Sequence, residues 1–419
     1  MTQEGGELTL ENPFKVYRGL NRNIYIIFIG QVINSMGAFV FPFLTMFLTQ
    51  KIGMSPAEAG SYVTVAALAN VPGMFLGAKL ADSFGRKRLY LISSTLMALM
   101  LIPPAFLGTS KVVIYFLIMM SLFAGAVNPA FNAMVTDLTR GEERKKAFSL
   151  LYLGWNMGFA IGPMIAGFLF NHYLPLLFLG DAATAFIAIV LIGIYVPETK
   201  GMIEETPDEE LPENERAEEG SIFRVLLKRP GIILVSFILL FFRLVYAQSS
   251  FALPIQMNEI FGQQGPAYYG INYSFNAIVV VAFTVLVTSV TVKLKPLANI
   301  IIAGLLLAVG FGMIYYIDIL PLFFLSTFVW TIGEILEATN VNVYIASHAP
   351  VSHRARFNSI FMFISGAGYA FAPKLGGLFL EYYSIREIWL ASFFVMVIAS
   401  SALLLFYLGQ ERVKRLTCK

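Results

Sequence analysis

From about residue 24 to residue 409 the chain alternates long apolar stretches with short polar ones. Many apolar runs are near twenty residues long, which is the length an α-helix needs to cross the hydrocarbon core of a bilayer. The pattern therefore predicts an all-α membrane protein. The twelve predicted transmembrane helices are 24–49, 57–80, 88–108, 112–138, 147–170, 174–196, 230–255, 267–292, 297–317, 320–347, 356–381 and 386–409.

One hydrophilic segment divides these spans into six and six. It contains "ETPDEELPENERAEEG", which is acidic, contains proline and has no apolar periodicity, so it predicts a flexible linker with room for a short surface helix. The expected organisation is two pseudo-symmetric six-helix bundles joined by this linker. The predicted parts are residues 1–23, an N-terminal segment; 24–197, the first bundle; 198–228, the linker; 229–409, the second bundle; and 410–419, a tail.

Basic residues predict the orientation of the chain in the membrane. Of the 29 Lys and Arg, only Lys51, Lys111 and Arg386 fall on the side opposite the linker, while Arg243 and Lys374 lie inside spans. Loops rich in Lys and Arg stay in the cytoplasm. Both termini and the linker are therefore expected to be cytoplasmic, in a cell membrane that we expect to be a bacterial inner membrane. The polar N-terminus does not resemble a cleaved signal peptide.

Composition narrows the class of protein. The chain is 57% hydrophobic and 13% charged, which leaves too little charge to cover a soluble protein of 419 residues. A single cysteine, Cys418, excludes intrachain disulfides and multi-cysteine metal sites. Three scattered histidines form no metal-binding pattern, and no Walker motif is present, so we expect no metal, no cofactor and no enzyme. The basic clusters serve membrane orientation, so no nucleic acid is expected as a partner.

The two halves share a weak internal repeat. "GAVNPAFN", which begins at Gly125, aligns with "GEILEATN", which begins at Gly333, and "GFAIGPMIAG" from Gly158 aligns with "GYAFAPKLGG" from Gly368. The near-constant offset of about half the chain indicates duplication of a six-span unit. Paired six-helix repeats with a site between them at the middle of the membrane are typical of alternating-access transporters.

A charged motif follows the second predicted span. "GAKLADSFGRKR" resembles the signature loop between helices 2 and 3 of the major facilitator superfamily, although Ala78 and Ser83 depart from the usual pattern. The resemblance implies a cytoplasmic gate that latches the two halves, with an acidic residue at the end of helix 4 completing it. The gate residues implied are Asp82, Gly85, Arg86, Lys87 and Asp137.

A second motif lies in the fifth predicted span. "SLLYLGWNMGFAIGPMIAG" resembles the helix 5 motif of drug/proton antiporters of this superfamily through Gly158, Gly162, Pro163 and Gly167. Small residues at these spacings permit close helix packing, and Gly-Pro permits a bend. A packing face without antiporter chemistry is the alternative. The membrane-embedded arginine that many such antiporters carry in helix 4 is absent from this sequence.

Charged residues inside the predicted spans mark candidate chemistry. Arg243 lies in the seventh span, and Glu334, Glu337 and Asn340 form one polar stripe on the tenth. A charge at the bilayer centre costs roughly 2.5–3.5 kcal/mol on insertion scales, so these groups should face a wet cavity, pair with each other or bind protons. We predict Glu334, Glu337 and Arg243 as the proton-coupling residues. A purely structural Arg243–Glu337 pair is the alternative.

Further resemblance singles out Glu334. "TIGEI" is similar to the equivalent segment of bacterial multidrug/proton transporters, in which the glutamate contributes an acid to the substrate cavity. Polar side chains elsewhere in the spans are candidates to line that cavity, with simple interhelical hydrogen bonds as the alternative. They are Gln31, Asn34, Asn128, Asn132, Tyr246, Gln248 and Asn340.

These observations predict a secondary active transporter that exports amphipathic drugs or related small molecules by alternating access, as a monomer driven by a proton gradient. A proton-coupled symporter of a nutrient, a carrier of an anionic solute bound by Arg243, and a lipid exporter are the rival transport functions. A membrane-embedded sensor or enzyme is the rival from another class, which the gate motif disfavours.

Overall fold

The computed structural model describes the backbone of residues 17–201, 230–348 and 354–417, and within these ranges the regular structure is entirely helical. In the first half (residues 17–201) the helices are α1 Arg22–Met36, α2 Val40–Met46, α3 Pro56–Phe84, α4 Arg86–Leu99, α5 Ile102–Leu107, α6 Val113–Asp137, α7 Gly141–Phe159, α8 Gly162–His172 and α9 Leu174–Tyr195. In the second half (residues 230–417) they are α10 Pro230–Tyr246, α11 Gln248–Phe261, α12 Gly265–Thr291, α13 Pro296–Met313, α14 Leu320–His348, α15 Arg354–Phe379 and α16 Glu387–Thr417.

Ten described stretches are long and apolar enough to cross a membrane. Gly231–Thr291 counts as one stretch of 61 residues although it contains α10, α11 and α12, and α15 is not among the ten. A count of twelve spans therefore stays a prediction. Residues 202–229, which include most of the predicted linker, lie outside the described residues.

Several predicted spans are broken helices, which hydropathy did not reveal. The first predicted span is interrupted between α1 and α2, where the backbone N–H groups of Phe39 and Val40 donate to Asp181 Oδ2 at 3.1 Å each. The fifth is interrupted between α7 and α8, with Pro163 in the first turn of α8. A hydropathy average does not detect such breaks, because proline and glycine leave the segment apolar. Proline nevertheless removes a backbone hydrogen bond, and glycine gives the backbone more conformational freedom.

Close backbone contacts join the two halves at one end of the molecule. A Cβ atom on Gly60 of α3 would lie 2.1 Å from the carbonyl oxygen of Pro373 in α15, and one on Gly270 of α12 would lie 2.2 Å from the carbonyl oxygen of Pro163 in α8. Only glycine permits this approach. Thr64 adds a hydrogen bond from its hydroxyl to the carbonyl of Ala370 at 2.9 Å. We call this the closed end; the basic end, where α3 meets α4, lies opposite because α3 spans 29 residues.

The contacts at the closed end are reciprocal. Pro56, Gly60, Pro163 and Gly167 recur 210 residues later as Pro266, Gly270, Pro373 and Gly377. Each contact therefore occurs twice. Gly60 meets Pro373, and the equivalent Gly270 meets Pro163. Gly167 meets Pro266, and the equivalent Gly377 meets Pro56. Reciprocity of this kind is what a pseudo-two-fold relation between repeats produces.

Candidate functional site

An ion pair links α10 to α14. Arg243 Nη2 lies 3.1 Å from Glu337 Oε1. The Glu337 carboxylate is buried, whereas the Arg243 side chain is 31% exposed. The pair satisfies both charges in surroundings that solvate them poorly, and removing one partner would leave the other uncompensated. The structure thus brings together two of the three residues predicted for proton coupling.

Glu334, one turn earlier on α14, is held by neutral groups. The hydroxyl of Tyr246 on α10 donates to Glu334 Oε1 at 2.9 Å. The amide of Asn276 on α12 donates to Glu334 Oε2 at 2.8 Å and contacts Thr331 Oγ1 at 2.9 Å. The two glutamates therefore occupy different surroundings, one beside a cation and one among hydrogen-bond donors. We call Arg243, Tyr246, Asn276, Glu334 and Glu337 the central site.

The amides of α12 were not predicted as site residues. Asn272 and Asn276 lie one turn apart and are both almost fully buried. Asn272 Oδ1 accepts a hydrogen bond from Thr327 Oγ1 at 3.0 Å, so α12 and α14 share a polar seam. The sequence signal was the spacing of four between two amides in an apolar helix, which puts both on one face.

A series of aromatic rings lies between the central site and the closed end. Phe159 of α7 packs against Tyr273 of α12 with ring centroids 6.0 Å apart, and Tyr273 packs against Tyr269 at 5.7 Å. Tyr269 meets Phe43 of α2 edge-on at 5.3 Å, and Phe43 lies 5.7 Å from Phe170. The contacts Phe159–Tyr273 and Phe43–Tyr269 cross between the halves, so separation of the halves at this end requires them to break.

Apart from Tyr246, which belongs to the central site, the predicted cavity residues divide into two groups. Asn128 and Asn132 are exposed side chains of α6, while Gln31 and Asn34 are half-buried on α1, with Gln31 Nε2 donating to Ser35 Oγ at 3.1 Å. Gln248 and Asn340 instead make interhelical hydrogen bonds. Gln248 Nε2 donates to the carbonyl of Ala372 at 3.1 Å, and Asn340 Oδ1 accepts from Asn299 Nδ2 at 2.9 Å.

The predicted gate residues meet at the basic end. Arg86 Nε lies 3.1 Å from Asp137 Oδ2, joining α4 to the last residue of α6. Gly85 provides the turn between α3 and α4 with a φ of 101°, which L side chains rarely adopt. Lys87 Nζ donates to the carbonyl of Gly193 at 2.7 Å. The side chain of Asp82 lies outside the described residues.

A further acid organises the same turn and was missed in the sequence. Glu198, which follows α9, accepts hydrogen bonds from the backbone N–H groups of Lys87 and Arg88 at 3.1 Å each, and from those of Thr199 and Lys200. Burial raises the pKa of Glu198, but these four N–H groups together outweigh burial and lower it below its ordinary value. Thr199 Oγ1 donates to Asp137 Oδ2 at 3.0 Å, so the end of the first half is tied into the gate turn.

The predicted helix 5 motif lies at two helix contacts. A Cβ on Gly158 would lie 2.3 Å from Ser35 Cβ, and one on Gly162 would lie 2.8 Å from the carbonyl oxygen of Met36, so both glycines allow α1 to approach. Pro163 and Gly167 belong to the reciprocal contacts with α12. The motif therefore packs helices on both sides, as its small residues predict.

Comparison with known families and proteins gives matches along nearly the whole chain. The sequence model described as Major Facilitator Superfamily matches residues 27–373 and 300–417. The chain is 24% identical to an uncharacterized MFS-type transporter, YqjV, of Bacillus subtilis (strain 168), over 88% of each chain. It is 23% identical to a Na(+), Li(+), K(+)/H(+) antiporter of Planococcus maritimus, over 80% of this chain and 84% of that one.

A shorter match and the solved structures add to this. The quinolone resistance protein NorA of Staphylococcus aureus is 26% identical over 180 residues, which are 42% of this chain and 44% of that one. Among solved structures, a POT family transporter in complex with 5-aminolevulinic acid superposes with a TM-score of 0.77 at 14% identity, over 94% of this chain and 97% of that one. At this identity the likeness concerns the fold alone.

Proposed function

The chain belongs to the major facilitator superfamily, and we propose that this multi-pass membrane transporter exports amphipathic, cationic compounds in exchange for protons. The proposal extends to twelve spans, to cytoplasmic termini and to a bacterial inner membrane, as the Lys and Arg distribution predicts. Two relatives support the activity by what their names state, one a cation/proton antiporter and one a quinolone resistance protein.

The observation that carries the proposal is the hydrogen bonding of Glu334. Its oxygens face different kinds of partner. The Asn276 amide nitrogen can only donate, so Oε2 must remain an acceptor, whereas the Tyr246 hydroxyl can donate to Oε1 or accept from it. The site therefore accommodates a bare carboxylate and a carboxyl group that carries its proton on Oε1. A proton-coupled carrier needs such a group.

The ion pair sets the charge of the site. Arg243 and Glu337 cancel each other at 3.1 Å, so the central site is anionic when Glu334 is ionised and neutral when Glu334 is protonated. A cation is attracted to the first state and released from the second, which makes proton and cation competitors. Charge cancellation also argues against the rival in which Arg243 binds an anionic solute, because its guanidinium is already paired.

The surroundings favour organic cations over metal ions. Alkali and alkaline-earth ions are held by several oxygen ligands, whereas Glu334 is the one carboxylate of the central site outside the ion pair, and the ring of Tyr246, whose hydroxyl binds it, meets Trp330 edge-on at 5.8 Å. Aromatic rings attract organic cations through their electron-rich faces. An amphipathic cation therefore matches both the charge and the apolar lining.

The contacts at the closed end define one conformational state of the proposed transport cycle. Among the described residues, α3 meets α15 and α8 meets α12 at the closed end. If the basic end is cytoplasmic, the structure has its external side closed. Export then requires these contacts to break while the gate turn around Arg86 and Asp137 engages the second half.

Efflux from everted vesicles tests the proposal. Vesicles loaded with a pH gradient should accumulate an aromatic cationic dye, and collapse of the gradient should stop this accumulation. Glu334→Gln should abolish the response to the gradient, whereas Glu58→Gln, at the exposed start of α3, should retain it. A dye response in the Glu334→Gln variant equal to that of the wild type, or uptake of Na⁺ or K⁺ but of no organic cation, would contradict the proposal.

A further inference from the structure

One of the three tryptophans differs from the other two in its surroundings. Trp330 and Trp389 are buried, at 3% and 0% exposure, and both stack on Phe311. Trp155 of α7 is 45% exposed. Its indole stacks on Phe159 with ring centroids 4.8 Å apart and planes inclined by 27°, so one face is occupied and the exposed area belongs to the rest of the ring.

Helix geometry shows which space the free indole surface faces. Gly158 of α7 abuts Ser35 on α1, while Phe159 contacts Tyr273 on α12. At 100° per residue, Trp155 lies about 60° from Gly158 and about 40° from Phe159, in the sector between them. The indole is therefore directed into the space between α1 and α12, away from the opposite face of α7.

The depth of Trp155 also matches the central site. Trp155 precedes Phe159 by one turn and so lies nearer the basic end. On α12, which runs in the opposite direction, Asn276 lies about one turn from Tyr273 toward the same end. Asn276 binds Glu334 directly. Tyr152, one turn before Trp155, lies within electrostatic range of Glu334 and Arg243.

From this geometry we propose that Trp155 is a substrate-contacting residue that stacks on the flat aromatic part of a cationic substrate whose charge is directed to Glu334. The inference rests on the proposed function and specifies its substrate class. An indole at the depth of a carboxylate offers a planar cation two complementary surfaces, and the stack on Phe159 fixes the orientation of the ring. Trp155 would thus distinguish aromatic from aliphatic cations.

Binding to the purified full-length protein tests this role with two cations of equal charge. The probes are ethidium, which is planar and aromatic, and tetrabutylammonium, which is aliphatic. Trp155→Leu should weaken ethidium binding roughly threefold to thirtyfold, as expected for a lost aromatic contact with a cation, and leave tetrabutylammonium binding unchanged. Trp155→Phe, which retains a ring, should lose less. Met157→Ala, an exposed residue on another face of α7, is the matched control.

Each outcome separates this inference from the proposed function. Equal ethidium affinity in the wild type and Trp155→Leu would overturn the stacking role and leave the transport proposal intact. Equal loss for both cations would also overturn it, because the residue would then shape the site without selecting aromatic ligands. If the wild type binds neither cation and moves neither across vesicles, the proposed function itself fails. Should Trp155→Leu not fold, Trp155→Phe still decides, because a ratio of ethidium to tetrabutylammonium affinity equal to that of the wild type would contradict the role.

Discussion

Glu334 and Glu337 lie one turn apart on α14, yet their partners give them separate tasks. Glu337 neutralises Arg243 and joins α14 to α10, while Glu334 meets only the neutral donors Tyr246 and Asn276 among its hydrogen bonds. The sequence predicted that these acids matter, because carboxylates in an apolar helix require partners. It did not predict the contact between Asn276 and Glu334, because the sequence of an apolar span does not show which neighbouring helix an amide in it faces.

Removal of Glu337 should act chiefly on stability. Glu337→Gln leaves the Arg243 guanidinium without its carboxylate, which costs about 3 kcal/mol, the lower end of the range for a broken buried pair, because Arg243 is partly exposed. Thermal unfolding in detergent should show a lower midpoint for Glu337→Gln. The double variant Arg243→Gln/Glu337→Gln should recover part of the loss. A double variant less stable than either single variant would contradict the pairing.

Removal of the Tyr246 hydroxyl should act on the pH dependence of transport. Tyr246→Phe deprives Glu334 Oε1 of a hydrogen-bond partner in both states, and the ionised carboxylate loses more because a hydrogen bond to a charged group is the stronger one. Glu334 then keeps its proton to higher pH, so the pH midpoint of dye efflux should rise. The matched control is Tyr316→Phe, an exposed ring outside the site. A midpoint that stays constant or falls would contradict the role of this hydrogen bond.

At the scale of elements, hydropathy predicts apolar spans but not where a helix breaks. The interruptions between α1 and α2 and between α7 and α8 depend on Asp181 and on Pro163, each of which acts through a local hydrogen-bond pattern that an average over twenty residues conceals. The turn between α3 and α4 was predicted from its motif. Its anchor Glu198 was not, because its bonds go to backbone N–H groups, which leave no trace in sequence.

Glu198 gives the gate turn a pH-dependent stability. Its four backbone donors stabilise the carboxylate, so its pKa lies below 4.5 in the folded protein. A carboxyl group whose pKa is lowered by folding stabilises the folded protein above pH 4.5, and this stabilisation is lost as the pH falls through the lowered pKa. Glu198→Gln should therefore lower the unfolding midpoint at pH 7, and the difference from wild type should shrink below about pH 4.5. A difference independent of pH would contradict the role of the carboxylate charge.

At the scale of the whole molecule, the internal repeat defines how the halves meet. The sequence predicted duplication from two aligned motifs, but not that the repeated glycines and prolines form reciprocal contacts at one end. That result required the structure, because an offset of 210 residues states which residues correspond and not which of them touch. The closed end is therefore a candidate gate built from two equivalent copies of the repeat.

Substitution of the reciprocal glycines tests this gate. In Gly60→Val the new side chain meets the Pro373 carbonyl, and in Gly270→Val it meets the Pro163 carbonyl. Both variants should keep the closed end apart and reduce dye efflux at least tenfold, to a similar extent. Gly366→Val on α15 is the control, because no atom lies within 4 Å of its Cβ position. Strong loss in only one of the two variants would contradict the equivalence of the repeats.

The central claim is that Glu334 exchanges a proton for a cationic substrate. Proton release into a weakly buffered solution, recorded as ethidium is added to the purified protein near neutral pH, tests it most directly. The account predicts that the wild type releases protons as it binds, and that Glu334→Gln, which resembles the protonated state, needs more ethidium to bind and releases no protons when it does. Equal proton release from Glu334→Gln and the wild type would contradict the account.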